Sequence, residues 1–542
     1  MDWQGHWRGR AHFTVFDTRA DVDAILGAWR ADPQRPARLH LITLAAGPLP
    51  GFRRIPQRDA AVTVDLLYCA LDAALGQLDA RLDAIHLHGI AAQGQQFVRP
   101  LSRLCAPGAV LRARGLTPLQ AHALGGAGFA CRTDGDVIDA TFTTRKPPSP
   151  WARQGAAERR AIVLGAGLAG AAACERLCAR GWEVALVERH AHAASEASGN
   201  LAGIAMPLLS KDDNIMARLS RAAFLYALDY WAALGPIRAE RCGVIQLARD
   251  GAHAQVQRAI AEQHRYPPEF ARWLEPAEAG ALAGVPAPDG AWLFAQAGWA
   301  RPASVCAAML DACGAQLARH FGAGSVTLER RLGQWHALDG AGRTIAQAPV
   351  VVVANGAGAL QLAQTAALPL ASVRGQVTHL AQGALPHTAH VLCREAYLTP
   401  AIDGWHSLGA SYDDDADPAL RQRSQDQNLA KIASLLGVES IGAGAPLAGR
   451  VGFRCVAPDR LPLVGALPDA HAGGRIERLR AIARLPGMHG LLGYASRGLS
   501  WAPLAAELLA SQLDDNPLPL ETDLAAALDP ARFLLRTRRH AG

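Results

Sequence analysis

The chain has 542 residues, half of them hydrophobic and 19% charged, a balance suited to two to four packed globular domains at roughly 150 residues each. No apolar run is long enough to span a membrane, and the start, MDWQGHWRGR, lacks the apolar core of a signal peptide, so a cytoplasmic protein is expected. The net charge of +6 rests almost wholly on arginine, since only Lys146, Lys211 and Lys431 are lysines, and a basic surface favours a polyanionic partner such as nucleic acid.

In chain order, HFTVFD (12–17) reads as a strand, DVDAILGAWRA (21–31) as a helix, and RLHLITL (38–44) and LDAIHLHG (82–89) as further strands. Alternating strands and helices predict a parallel α/β domain over 1–145. His86 and His88 have no partners at metal-ligand spacing and are read as substitutions, so no metal is expected. The ten cysteines form no CxxC pair, and Cys174 and Cys178, four apart, read as small buried helix residues. TRKPPSPWARQGAAER (144–159) is polar and rich in proline; it predicts a linker over 146–159.

Beyond it, Ala161–Leu164 reads as a buried strand, followed by Gly165-x-Gly167-x-x-Gly170, an Ala-rich helix to about Arg180, and a strand from Glu183 to Glu188. A strand, this glycine pattern, a helix and an acidic residue 18 positions after the last glycine are the context of a dinucleotide site. Gly165 permits the turn, Gly167 lets the backbone approach a pyrophosphate, Gly170 lets helix and strand pack closely, and Glu188 accepts hydrogen bonds from a ribose. This unit alone does not separate FAD from NAD. GLLGYASRGLSWAPLAAELLA (490–510) does: it reads as a strand, a turn through Gly493, Ser496, Arg497 and Gly498, then a helix. The start of that helix stabilises the negative charge of a reduced flavin. A basic tail, 526–542, contains RFLLRTRRH.

The two-ended glycine arrangement resembles FAD-dependent amine oxidases of the D-amino acid oxidase and glycine oxidase type, over about residues 160–520. VVVVANGAGA (350–359), with Gly356, looks like their third flavin element, and SEASGNLAG (195–203), with Ser198 and Asn200, like their loop beside the cofactor. The resemblance implies an FAD-binding Rossmann-type domain, interleaved with an α+β substrate domain, over 160–525. GRVGFRCVAPDRLPLVG (449–465) is similar to the glycine-oxidase pattern, which implies that Arg454 binds a substrate carboxylate. Arg450 shares its strand face by period-two counting; Tyr397 and Arg374 are further candidates, with a packed aromatic and a fold role as their alternatives.

SEASGNLAG, RGQV, GASYDDD and RCVAPDRLPLVG together resemble the bifunctional tRNA 5-methylaminomethyl-2-thiouridine biosynthesis family (MnmC). That resemblance implies an FAD half that removes a carboxymethyl group from the wobble uridine of tRNA, preceded by a methyltransferase half using S-adenosylmethionine. It makes the tRNA anticodon loop the expected partner and FAD the cofactor. The methyltransferase motifs are eroded: Arg19 and Asp21 stand at the glycine turn, Ala45 at the ribose-binding acid, His88 at the catalytic aspartate and Ala92 at the motif proline. A degenerate Rossmann-like methyltransferase domain is therefore expected. The alternatives are a bifunctional enzyme, a small-molecule glycine, sarcosine or D-amino acid oxidase, and a non-catalytic tRNA-binding flavoprotein.

Overall fold

A computed structural model describes residues 3–57, 61–143, 158–442, 444–472 and 477–539. The expected linker lies outside them except for its last two residues. The chain divides into two compact units, Met1–Ala157 with Leu508–Ala526, and Glu158–Glu507 with Ala527–Gly542.

The first unit contains β1 (His12–Asp17), β2 (Arg38–Leu44), β3 (Gly51–Ile55), β4 (Val62–Tyr68), β5 (Leu82–His88), β6 (Cys105–Arg114), β7 (Phe129–Asp134) and β8 (Val137–Phe142). They form one sheet in the order β3-β4-β2-β1-β5-β6-β8-β7. The five strands β4, β2, β1, β5 and β6 are parallel, and β3 and β8 run against their neighbours. Stripped of β3 and the β7–β8 hairpin, this is the 3-2-1-4-5 order of a doubly wound sheet. Alternation along the strands fills both faces: Phe13 and Val15 pack with Trp29 and Leu41 on one side, and Phe16 with Ile42 and Leu67 on the other. Asp21 caps the helix Val22–Ala31 by accepting from the Ala24 N–H at 3.0 Å.

The sequence places 508–525 with the oxidoreductase half, whereas in the fold this stretch belongs to the first unit. Arg54, buried and bidentate on Asp65 (2.8 and 2.7 Å), donates to Ser511 Oγ at 2.9 Å and to the Pro517 carbonyl at 2.8 Å. Arg38 pairs with Asp514 at 2.6 Å, and the Leu518 N–H donates to the Asp79 carbonyl at 3.0 Å.

In the second unit, strands Leu317–His320, Glu183–Val187, Arg160–Leu164, Val350–Val353, Arg484–Leu492 and Leu463–Pro468 lie side by side in that order. The first five are parallel and the last is antiparallel. All four residues of Val350–Val353 are buried, as a central strand covered on both faces requires. An eight-stranded mixed sheet is inserted between these elements; its edge strand Leu447–Val456 pairs antiparallel with Ala371–Ala381. Cys174 and Cys178 are buried in the helix Leu168–Cys178. The tail forms a helix, Arg532–Arg539, whose Arg532 pairs with Asp459 at 2.9 Å. Among the described residues, no helix is long and apolar enough to cross a membrane.

Candidate active site

The strand Arg160–Leu164 ends in Gly165, which has φ +97°. A Cβ there would lie 2.7 Å from Asn355 Cα, so only glycine permits the turn. The helix Leu168–Cys178 starts at Gly167, which caps it with no side chain. Ser198 Oγ accepts from the Leu168 N–H at 3.1 Å, and helix geometry leaves the neighbouring N–H groups without an intrahelical acceptor. A Cβ on Gly167 would stand 3.0 Å from Ser198 Oγ; one on Gly170 would overlap the Gly165 carbonyl oxygen.

Glu188 follows the next strand and is buried. It accepts from the Ala166 N–H at 2.7 Å and from the His190 N–H at 2.9 Å. A carboxylate has about four acceptor positions, so two remain for ribose hydroxyls. Asn355 Oδ1 lies buried beside this loop with no hydrogen-bond partner among the described residues. A helix start with N–H groups to spare, a cradle that a Cβ would fill, an acid with spare lone pairs and an orphaned amide oxygen all fit a bound dinucleotide.

The second helix start is adjacent. Strand Arg484–Leu492 ends at Gly493 (φ +75°) and turns through Ser496 and Arg497 into the helix Gly498–Leu513. A Cβ on Gly498 would lie 3.1 Å from Leu168 Cδ1, so the two helix starts abut. Gly356 (φ +58°) opens the short turn Gly356–Gln361, and Asn200 closes the turn Ala197–Gly199 that carries Ser198.

The strand Leu447–Val456 is tied to the second turn, because the Ala495 N–H donates to the Cys455 carbonyl at 2.9 Å. That bond holds Arg454 at the edge of the cradle. Its Nη1 donates to the carbonyl oxygens of Ser411 (3.1 Å) and Arg374 (3.4 Å), and its guanidinium lies 4.1 Å from the ring centre of Tyr412. The Nε/Nη2 edge has no acceptor and no carboxylate pairs with it among the described residues. Burial pushes the Tyr397 phenol up, and Arg454 acts on it in the opposite direction. Burial also lowers Arg497, which acts electrostatically on Cys393.

Two candidates are corrected. Arg374 is fully buried and acts in the fold: it donates to the Asp417 and Ala419 carbonyls (2.7 and 2.6 Å), to Asp413 (3.1 Å) and to Gln376 (3.2 Å). No donor pair is left for substrate. Arg450 shares the strand with Arg454 but donates to the Ser195 and Glu196 carbonyls, bracing the loop that carries Ser198. His86 and His88, read in the sequence as substitutions without partners at ligand spacing, have Asp17 beside them in the fold.

Sequence reasoning missed three residues at this site. Tyr412, 66% exposed, supplies the ring beneath Arg454, and its position in GASYDDD gives no spacing signal. Asn355 stands beside Gly356 in a segment read only for its glycines. Gly375 leaves the space in which the Arg454 guanidinium lies, since a Cβ there would overlap it. Gly375→Ala is therefore expected to displace the guanidinium and lower turnover of a carboxylate substrate at least tenfold with flavin content unchanged. Unaltered turnover in that variant would detach Arg454 from substrate binding.

The family model for FAD dependent oxidoreductases matches residues 160–512. A tRNA 5-methylaminomethyl-2-thiouridine biosynthesis bifunctional protein from Aromatoleum aromaticum is 40% identical, across 98% of this chain and 92% of its own length. A protein of the same description from Azoarcus sp. is 39% identical with the same coverage. Among solved structures, glycine oxidase from Geobacillus kaustophilus matches at TM-score 0.58 and 20% identity, covering 69% of this chain and 99% of its own. An iminodiacetate oxidase from Chelativorans sp. BNC1 matches at TM-score 0.54 and 23% identity, covering 66% and 96%. These two likenesses are of fold, and they agree with the FAD dependent oxidoreductase family matched over residues 160–512.

Proposed function

The chain belongs to the bifunctional tRNA 5-methylaminomethyl-2-thiouridine biosynthesis family (MnmC) and carries its FAD-dependent oxidoreductase domain, and from that premise we propose that the second unit removes the carboxymethyl group from 5-carboxymethylaminomethyl-2-thiouridine in tRNA. The observation that carries this reading is Arg454, an arginine beside the flavin cradle whose Nε/Nη2 edge has no carboxylate partner among the described residues.

The substrate side chain is a secondary amine bearing a carboxymethyl group, an N-substituted glycine. The open edge of Arg454 receives its carboxylate through two parallel hydrogen bonds, while the Ser411 and Arg374 carbonyls and the Tyr412 ring fix the plane of the fork. That fixes the direction of the methylene C–H bonds. The amine reacts in its neutral form, which keeps the nitrogen lone pair available. Bound FAD supplies the acceptor for a hydride from the methylene carbon. As the C–H bond breaks, the nitrogen lone pair forms a C=N bond; water adds to that carbon, the C–N bond breaks, and glyoxylate and the aminomethyl nucleoside leave. The uridine to be modified is the wobble base of the anticodon loop, which is single-stranded and can be turned into a pocket at low cost. Such a substrate is met in the cytoplasm.

The test is anaerobic mixing with tRNA carrying the carboxymethyl group. Flavin bleaching with appearance of the aminomethyl nucleoside is expected. Bleaching by free sarcosine but not by tRNA would overturn the reading in favour of a small-molecule oxidase.

The first unit, on this reading, has lost methyl transfer. The turn after β1 contains no glycine, the Arg19 N–H is bound to Asp17 Oδ1 at 2.9 Å, and Ala45 follows β2 where a ribose-binding acid is needed. S-adenosylmethionine added to the full chain is expected to give no binding heat, and the product is expected to stop at the aminomethyl nucleoside. A methylated nucleoside would restore the bifunctional alternative.

A further inference from the structure

We propose that the first unit is a metal site: Asp17, His86 and His88 bind one divalent transition-metal ion at the carboxyl ends of β1 and β5. In the parallel pairing of these strands Asp17 stands opposite His86, and His88 lies two residues further along β5, so all three project to one face. Their ligand atoms lie within 4.8 Å of one another, the only group of this kind among the described residues. His86 Nδ1 is 3.0 Å from Asp17 Oδ2 and 3.1 Å from His88 Nε2.

A ring nitrogen of neutral imidazole carries either a proton or a lone pair. If His86 Nδ1 is protonated, its one hydrogen serves Asp17, and His88 Nε2 shares it at best. If it is not, the carboxylate faces a lone pair. A cation between the three atoms satisfies both contacts. The two separations at His86 Nδ1 suit one: bonds of about 2.1 Å separate neighbouring ligand atoms by about 3.0 Å at right angles and about 3.4 Å at the tetrahedral angle.

The surroundings hold the ligands in place. The Arg19 N–H donates to Asp17 Oδ1 at 2.9 Å, fixing the carboxylate through its other oxygen. Thr18 Oγ1 accepts from the His88 N–H at 2.7 Å and donates to the His88 carbonyl at 3.1 Å, pinning the end of β5. The Asp17 and His86 side chains are 5% and 13% exposed, sheltered from bulk water but not sealed. The cluster also lies where strand order reverses about β1, the place where doubly wound sheets take their ligands.

Two imidazoles and one carboxylate select zinc, ferrous iron or cobalt over magnesium and calcium, which require oxygen ligands. Three protein ligands leave at least one position for water or another ligand, as in exchangeable zinc sites. None of this depends on the reaction assigned to the second unit.

The full-length chain, stripped with chelator, is titrated with Zn²⁺ and with Co²⁺ by calorimetry and visible absorption. One bound equivalent is expected, with cobalt giving the ligand-field bands of a four- or five-coordinate ion. His88→Gln and Asp17→Asn should each weaken binding about a hundredfold or more, with flavin absorbance unchanged. X-ray absorption at the zinc edge of the unmodified chain reads the ligands without any variant, and two imidazoles plus oxygen are expected. No binding of either ion, a sulfur-containing shell, or undiminished binding in both variants overturns the proposal.

Discussion

Replacing Arg454 with alanine is expected to lower kcat/KM for the carboxymethyl substrate by about thirtyfold to several thousandfold, while FAD stays bound. The range is that of a truncated charge pair whose partner stays buried, roughly 2–5 kcal/mol. Arg454→Lys should recover only part of the loss, because an ammonium keeps the charge but not the planar fork that sets the methylene direction. The other arginines give different signatures. Arg450→Ala removes the brace on the Ser195 and Glu196 carbonyls and should appear first as weaker FAD retention. Arg374→Ala empties the place of a fully buried side chain and removes the donor to the Asp417 and Ala419 carbonyls, and should appear as lower stability. Steady-state kinetics, flavin content and thermal melts separate the three. Near-normal turnover in Arg454→Ala would remove the carboxylate anchor and with it the reading of the pocket.

The strand, turn and helix around Gly165, Gly167 and Gly170 were legible in the sequence because most of what fixes them is local. Gly165 and Gly170 answer to atoms within the same strand–turn–helix unit or directly across it, and Glu188 lies at the end of the next strand. The arginines were only half legible. Period-two counting puts Arg450 and Arg454 on one strand face but says nothing of what lies opposite. Arg450 meets carbonyls some 250 residues earlier in the chain, and Arg374 is enclosed by a loop about 40 residues later. No spacing rule carries such partners.

The same limit hid Asp17 from His86 and His88. About 70 residues separate them, and they meet only because a doubly wound sheet places its fourth strand beside its first. The strands themselves were legible, since HFTVFD and LDAIHLHG became His12–Asp17 and Leu82–His88. Recognising the triad required one further step, from the sheet order to the register. Likewise Leu508–Ala526 reads as the end of the oxidoreductase half from position alone. What assigns it to the first unit is Arg54, a buried cation whose donors need acceptors that the strand Gly51–Ile55 does not supply.

Gly170→Ala is expected to yield protein without flavin colour, the largest single-atom effect at the cradle. The added Cβ would overlap the Gly165 carbonyl oxygen, and both groups are main chain or fixed to it. Relief requires either the helix Leu168–Cys178 to move off its strand or the Gly165 turn to open. Gly165 cannot yield, because its own Cα side is closed by Asn355 and its φ of +97° is already available only to glycine. The helix start therefore moves, and with it the N–H groups that would face a bound pyrophosphate. Gly167→Ala gives a milder loss: its Cβ meets Ser198 Oγ at 3.0 Å, the end of a short side chain that can rotate. That rotation gives up the bond to the Leu168 N–H, so occupancy falls without disappearing. Flavin absorbance per polypeptide should thus rank the unmodified chain above Gly167→Ala and Gly167→Ala above Gly170→Ala. Full occupancy in Gly170→Ala, or the reverse order, would show that the cofactor does not rest on this helix start.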